Sequence, residues 1–377
     1  MRSSILPIAL CFLALALTAT SAKNIVCYFA SWSHYRQGNG RFTTADIDPN
    51  ICTHYIWSFV TIEGNRIVVS DGDGSNGIRE LTALRSQNSG AKVLVAVGGG
   101  SDSVGPKYSN MVSSWQSRND FINSAVDVLK EYNLDGLDMD WEYPAFNGGV
   151  PSDRENFVLL LKELRERFNQ EGGYLLTAAV NAGQWAAETA YDIPGISQQL
   201  DFINLMTYDF HGSWESQTGH HAGLHANGDI SVESCVKYWL DKGCPKDKLV
   251  VGVPTYGKSW TLADPNNHGV GAPAVGVGQP GPYTQAPGTL AYNELCEQIN
   301  AGQWTVVFDE QAYVPYAYNG NQWVGYENVQ SAKGKAGFLR DWGLAGAMVW
   351  TIDFDDFRGS CGERYPILNA LNAVLRT

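Results

Sequence analysis

The sequence predicts an α/β fold, a (β/α)8 TIM barrel with a small α+β insertion domain between strands seven and eight. Eight short β-rich runs alternate with helical or loop segments, and one gap of about 90 residues between the last two runs marks the insertion. In order, the runs are Ile25 to Trp32, His54 to Val60, Lys92 to Gly99, Asp135 to Glu142, Leu175 to Asn181, Asp201 to Asp209, Leu249 to Gly257 and Gly346 to Asp353. The clearest helices between them are Trp115 to Tyr132, Arg154 to Gln170, Val232 to Lys242 and Val329 to Gly343, where apolar residues recur at helical spacing, as in Phe157, Leu160, Leu161 and Leu164. The insertion, about 259–323, opens with a Gly/Pro-rich stretch (269–288) and continues with a helical piece (291–301) and strand-like pieces (305–309 and 312–318). Trp304, Phe308, Tyr313, Tyr316, Tyr318 and Trp323 make it too aromatic for a disordered loop.

Of the 377 residues, 44% are hydrophobic and 17% charged, which excludes a disordered or fibrous chain. Residues 1–22 combine Arg2, an apolar run from Ile5 to Leu17 and the small residues Thr20, Ser21 and Ala22, the pattern of a cleavable secretory signal. That run is too short to span a bilayer, so secretion is expected and a membrane anchor is not. The net charge of −13 disfavours nucleic acid and anionic membranes as partners. Loss of Cys11 with the signal leaves an even set, Cys27, Cys52, Cys235, Cys244, Cys296 and Cys361, which suits an oxidised, disulfide-bonded protein, and no C-x-x-C pair is present. No Ser/Thr/Pro linker or Cys-rich module follows the last helix, so residues 23–377 are read as one domain with its insertion.

Asp138, Asp140 and Glu142 close the fourth run as Asp135-Gly-Leu-Asp-Met-Asp-Trp-Glu-Tyr-Pro144. Side chains along a strand alternate faces, so these carboxylates share one face at steps of about 6.6 Å. Like charges crowded in a partly desolvated site retain protons, and a carboxyl kept protonated near neutral pH can act as a general acid. Glu142 is the expected acid because it lies nearest the strand's C-terminal end, where barrel active sites sit. A calcium site or a solvated strand end is the alternative, and the apolar Leu137 and Met139 favour a buried strand instead.

This run resembles the signature of the family 18 glycoside hydrolases, the chitinases. The likeness extends through Cys27-Tyr-Phe-Ala-Ser-Trp32, Val97-Gly-Gly99, Leu205-Met-Thr-Tyr-Asp-Phe-His-Gly212, Val253-Pro-Thr-Tyr-Gly257 and Met348-Val-Trp-Thr-Ile-Asp353, so it covers nearly all of residues 23–377. It is nearest in kind to the secreted chitinases of animals, arthropods in particular. The resemblance implies a monomer that hydrolyses the β-1,4 links of chitin and chitooligosaccharides without metal or cofactor. Family 18 departs from the usual two-carboxylate scheme by using the substrate's own N-acetyl oxygen as nucleophile. By that resemblance Glu142 protonates the leaving oxygen, Asp140 orients the acetamido nitrogen, Asp138 shares a proton with Asp140, and Tyr208 bonds the acetamido oxygen.

Sugar rings offer apolar faces, so a cleft for their polymer needs aromatic platforms with polar rims. The resemblance makes Trp350 the floor of the reacting-sugar site, Trp32 a platform on the non-reducing side and Trp214 one on the leaving side. It also has Tyr28, Gly99, Tyr143, Met206, Asp209 and Tyr256 lining the cleft. It implies disulfides Cys27–Cys52 and Cys296–Cys361, and Cys235 with Cys244 is the pair that remains. Gly100 stands where the family commonly has Trp and Lys258 where many animal members have Arg, which removes one platform and one planar fork. His211, His220, His221 and His225 raise a zinc reading, but their setting is loop-like and the Glu142 chemistry needs no metal. A chitin-binding lectin on the same fold would typically lack the acid. An endoglycosidase acting on N-glycans is the other competing activity.

Overall fold

The computed structural model describes residues 23–70, 73–226 and 230–376. The strands are β1 (Asn24–Ala30), β2 (His54–Glu63), β3 (Arg66–Val68), β4 (Lys92–Gly98), β5 (Gly136–Asp140), β6 (Leu175–Asn181), β7 (Phe202–Met206), β8 (Leu249–Pro254), β9 (Tyr256–Leu262), β10 (Ala274–Val277), β11 (Thr289–Ala291), β12 (Thr305–Asp309), β13 (Val314–Asn319), β14 (Gln322–Gly325) and β15 (Gly346–Trp350). The helices are α1 (Asp73–Ala83), α2 (Lys107–Val112), α3 (Trp115–Glu131), α4 (Asp153–Gln170), α5 (Gln184–Ala190), α6 (Ile193–Gln199), α7 (Val232–Asp241), α8 (Tyr292–Asn300), α9 (Val329–Trp342) and α10 (Pro366–Leu375).

Strands β1, β15, β8, β7, β6, β5, β4 and β2 pair in that order, all parallel, and β1 pairs back onto β2 to close the predicted barrel. Period-two alternation divides the apolar residues into two layers. Outward residues such as Val95, Leu137, Met139 and Val251 join the helices in the main core, while Val26, Ile56, Leu94, Ala96, Phe202, Val250 and Met348 fill the barrel's interior. Among the described residues no helix is long and apolar enough to cross a membrane.

Several observed strands stop short of the predicted runs, whereas β2 runs past Val60 to Glu63. β5 ends at Asp140, β7 at Met206 and β15 at Trp350, so Glu142, Asp209 and Asp353 belong to the loops on the C-terminal rim. At the rim the neighbouring strands diverge and ladder partners run out, which a hydrophobic pattern does not report. The insertion also starts earlier than predicted. Only Thr255 separates β8 from β9, and the first residues of β9 pair with β11 and, from Lys258, with β14. Its six strands form one sheet, with β10, β9, β14, β13 and β12 in sequence and β11 attached to β9, and Trp260 and Trp323 are buried in it.

Cys27 is joined to Cys52 and Cys296 to Cys361. Cys235 and Cys244 are not joined, which corrects the third expected pair: both are buried free thiols. Cys235 lies in the second turn of α7, whereas Cys244 lies past its end, where the N–H groups of Gly243 and Cys244 close the helix on the carbonyls of Leu240 and Trp239. Six residues of helix between Cys235 and Asp241 rise about 9 Å, more than the Cα separation a disulfide bridges. The predicted signal, residues 1–22, lies outside the described residues.

Candidate active site

The register of β5 sets the centre of the site. Asp138 lies opposite Ala96 and Thr177, and Asp140 opposite Gly98, so small neighbours leave room for both carboxyls inside the barrel. Leu137, Met139 and Trp141 point the other way, with Trp141 stacked at 5.8 Å on Tyr108 and edge-on at 5.9 Å to Phe157. That packing fixes the strand end from behind and carries the alternation on to Glu142, whose N–H donates to Ser103 Oγ at 2.9 Å.

Asp138 is fully buried and accepts from the Tyr28 hydroxyl at 2.7 Å, the Thr177 hydroxyl at 2.5 Å and the Asn204 amide at 3.2 Å. Burial pushes its carboxyl up to about 6 in spite of those donors. None of these bonds runs to Asp140. Asp140 is 3% exposed, and its Oδ1 has no hydrogen-bond partner among the described residues. Burial, then the charges of Glu142 and Asp138, hold its carboxyl well above the usual range. Glu142 is pushed up to about 7, first by burial and also by the negative Asp209, with the Tyr143 hydroxyl and the Gly100 N–H pulling the other way. Asp140 and Glu142 therefore share their titration, and the pair retains a proton near neutral pH.

Asp140, Glu142, Tyr143, Met206, Tyr208, Asp209, Trp214, Tyr256 and Trp350 line one cavity of about 520 Å³. Trp350 also faces an adjoining hollow of about 580 Å³ that holds Trp32 and Gly99, so it forms the floor where two halves of a cleft meet. The Tyr208 hydroxyl has the Met348 sulfur, at 3.9 Å, as its partner among the described residues. Asp209 is tethered by the Tyr256 hydroxyl at 2.6 Å and by Lys258 at 3.1 Å. Burial opposes its charge, but His221, Lys258 and Tyr256 outweigh this and hold the carboxyl at about 2. The Lys258 ammonium also stands 5.8 Å from the Trp214 ring, so the lysine joins Asp209 to an exposed indole.

Tyr28 departs from expectation. It is 1% exposed, with its hydroxyl donated to Asp138 at the barrel's centre and its ring 5.5 Å from that of Trp350, so it lies beneath the cleft floor. Phe59, Asn181, Trp185 and Ile230 are cleft residues that sequence reasoning missed. Phe59 stacks on both Trp32 and Trp350 at 6.0 and 5.6 Å. Its place near the end of a predicted strand was the one signal that could have found it. Gly100 leaves the flank of Glu142 open, since a Cβ there would stand 3.6 Å from both carboxyl oxygens.

The histidines of the zinc reading do not converge. His211 pairs with Glu215, His220 with Asp309, His221 with the Tyr256 carbonyl and His225 with Glu233. Among the described residues, the one trio of candidate ligand atoms brought together is Cys296, Asp356 and Cys361, and two of these are the halves of a disulfide.

Known proteins carry the same architecture. The profile of "Glycosyl hydrolases family 18" matches residues 24–355. The endochitinase of Manduca sexta is 42% identical over 99% of this chain and 71% of its own length. The Group IV chitinase of Ostrinia furnacalis, solved in complex with allosamidin, superposes with a TM-score of 0.91 at 41% identity, covering 94% of this chain and 98% of that one. Human YKL-39, described as a pseudo-chitinase with retained chitooligosaccharide binding, superposes at 0.88 with 40% identity, covering 94% of this chain and all of that one. Barrel and insertion thus agree with these relatives: the chain belongs to family 18 of the glycosyl hydrolases and is a glycoside hydrolase.

Proposed function

We propose that the chain hydrolyses the β-1,4 bonds between N-acetylglucosamine residues of chitin and its oligosaccharides, with retention of configuration and with the substrate's own N-acetyl oxygen as nucleophile. The observation that carries this reading is the unpaired, buried Asp140 Oδ1 in the same cavity as the Tyr208 hydroxyl. One is an acceptor and the other a donor, which matches the N–H and the C=O of an acetamido group. Glu142, protonated near neutral pH, supplies the proton to the leaving oxygen and then returns as the base that activates water. Asp138 acts through Asp140 by its negative charge at the barrel's centre, and the arrangement offers this electrostatic support in place of a direct hydrogen bond. Asp209 is a poor nucleophile for a two-carboxylate route, because Tyr256 and Lys258 engage its two oxygens. Trp350 stacks beneath the reacting sugar, with Trp32 and Trp214 on either side.

A lectin like the pseudo-chitinase relative would need no proton donor, and the raised carboxyl of Glu142 favours catalysis. Release of the fluorophore from a fluorogenic chitobioside tests this directly, and absence of turnover would leave binding alone. The chain is also proposed to be secreted, with residues 1–22 removed. N-terminal sequencing of the exported protein should then begin near Lys23.

The acid must carry its proton, so kcat/KM should fall as pH rises through about 7. The negative Asp209 helps to hold that proton, so Asp209→Asn should move the falling limb to lower pH. A limb that stays in place would separate Asp209 from the titration of the acid.

Gly252 supports Tyr208 from the neighbouring strand. A Cβ there would stand 2.7 Å from the Leu205 carbonyl and 2.8 Å from the Tyr208 ring, closer than any side chain can be accommodated. Gly252→Ala is expected to displace Tyr208 and lower kcat by about 10- to 100-fold. In the Tyr208→Phe background the same change should cost much less, since the hydroxyl is already gone, and a double-mutant cycle measures the difference.

A further inference from the structure

We infer that Trp185 and the hollow behind it form a branch of the cleft on its leaving-group side, which stacks sugar rings of an N-acetylglucosamine chain too long to end at Trp214. This rests on the reading of the site given above.

Trp185 is 65% exposed, although an indole is among the side chains that gain most from burial. It lines the cavity that holds Glu142 and Trp214 and takes no part in the half that holds Trp32. It also lines a second hollow, about 460 Å³, with Gln184, Glu188, Ile230 and Tyr238. Trp185 and Ile230 line both spaces, so the hollow adjoins the site along the indole.

The indole is held in place. Phe146 meets it edge-on at 5.7 Å, and Gly183 lies so close that a Cβ there would stand 3.0 Å from the indole nitrogen and 3.3 Å from Ile230 Cδ1. Trp214 is built in the same way on the loop after β7. It is 64% exposed and lies over Gly212, where a Cβ would stand 2.1 Å from its ring. Two indoles, one in the first turn of α5 and one on the loop after β7, each seated on a glycine and each left open, are pre-formed stacking surfaces that lose little freedom when a ring lies on them.

The hollow has the chemistry of a pyranose site. Ile230 and Tyr238 give it apolar surface, while Gln184 and Glu188, four residues apart on one side of α5, put an amide and a carboxylate at its edge for equatorial hydroxyls. A chain that leaves Trp214 and continues over Trp185 meets apolar and polar groups in the alternation a sugar presents.

The test compares chitohexaose with a fluorogenic chitobioside, whose leaving group is too small to reach Trp185. For Trp185→Ala the ratio of hexamer KM to chitobioside KM should rise about tenfold, and products with short leaving fragments should gain over those with long ones. Trp185→Phe, which keeps an aromatic face, should recover most of the ratio. A ratio unchanged in Trp185→Ala, or an equal loss on both substrates, would overturn the inference while leaving the reading of the site intact. A wild-type protein that cleaves neither substrate would overturn both.

Discussion

Glu142→Gln is expected to lower kcat by about 100- to 10,000-fold, the usual cost of losing a general acid, while binding of chitin oligomers persists. The amide keeps the shape of the side chain, the Ser103 bond to the Glu142 N–H does not involve the carboxyl, and the platforms Trp32, Trp214 and Trp350 are untouched. Single-turnover kinetics with calorimetric binding of chitohexaose separates the two effects. Near-normal hydrolysis by this variant would place the acid elsewhere in the cleft. A matched loss of binding and turnover would mean that the carboxyl holds the substrate and does not protonate it.

Removal of the N-acetyl group from the reacting sugar should be as damaging as removal of the acid. Intramolecular nucleophiles gain effective molarities on the order of 10⁵ M or more, so a substrate without that oxygen is expected to react slower by on the order of a thousandfold. Two successive inversions give net retention, so the first product released should be the β-anomer. NMR of the nascent product and a comparison of acetylated with fully deacetylated chitosan oligomers make the measurement. Initial α-anomer, or equal cleavage of both polymers, would exclude the substrate-assisted route and leave Asp140 Oδ1 without its partner.

The barrel was readable because every strand is a compact β-rich run, and because Asp138, Asp140 and Glu142 keep the period of two through the very residues that matter. What depends on through-space neighbours was not readable. Tyr28 is a cleft tyrosine by the family resemblance, and only the three-dimensional register shows Asp138 accepting from its hydroxyl. Trp185 sits in an unremarkable Gln-Trp-Ala-Ala segment, and its exposure follows from Gly183 and Phe146, which bring no local pattern with them. An even cysteine count suggested a third bridge, yet the helix between Cys235 and Cys244 holds them apart. The unpaired state of Asp140 Oδ1 is likewise a property of assembled neighbours that no spacing along the chain encodes.

The clasp between β9 and β14 bears on how the barrel closes. The last barrel strand, β15, must find β8 across about 90 intervening residues, and loop-closure entropy rises with that length. Once Lys258 is paired with Gly325, the effective path from β8 to β15 shortens to about 25 residues, worth ~1 kcal/mol of closure entropy. Much of that path is α9, which is locally formed from its Asn328 cap to the left-handed Gly343. The insertion thus brings the two ends of the barrel's last connection together, so that an assembled insertion lowers the entropic cost of seating β15 between β8 and β1.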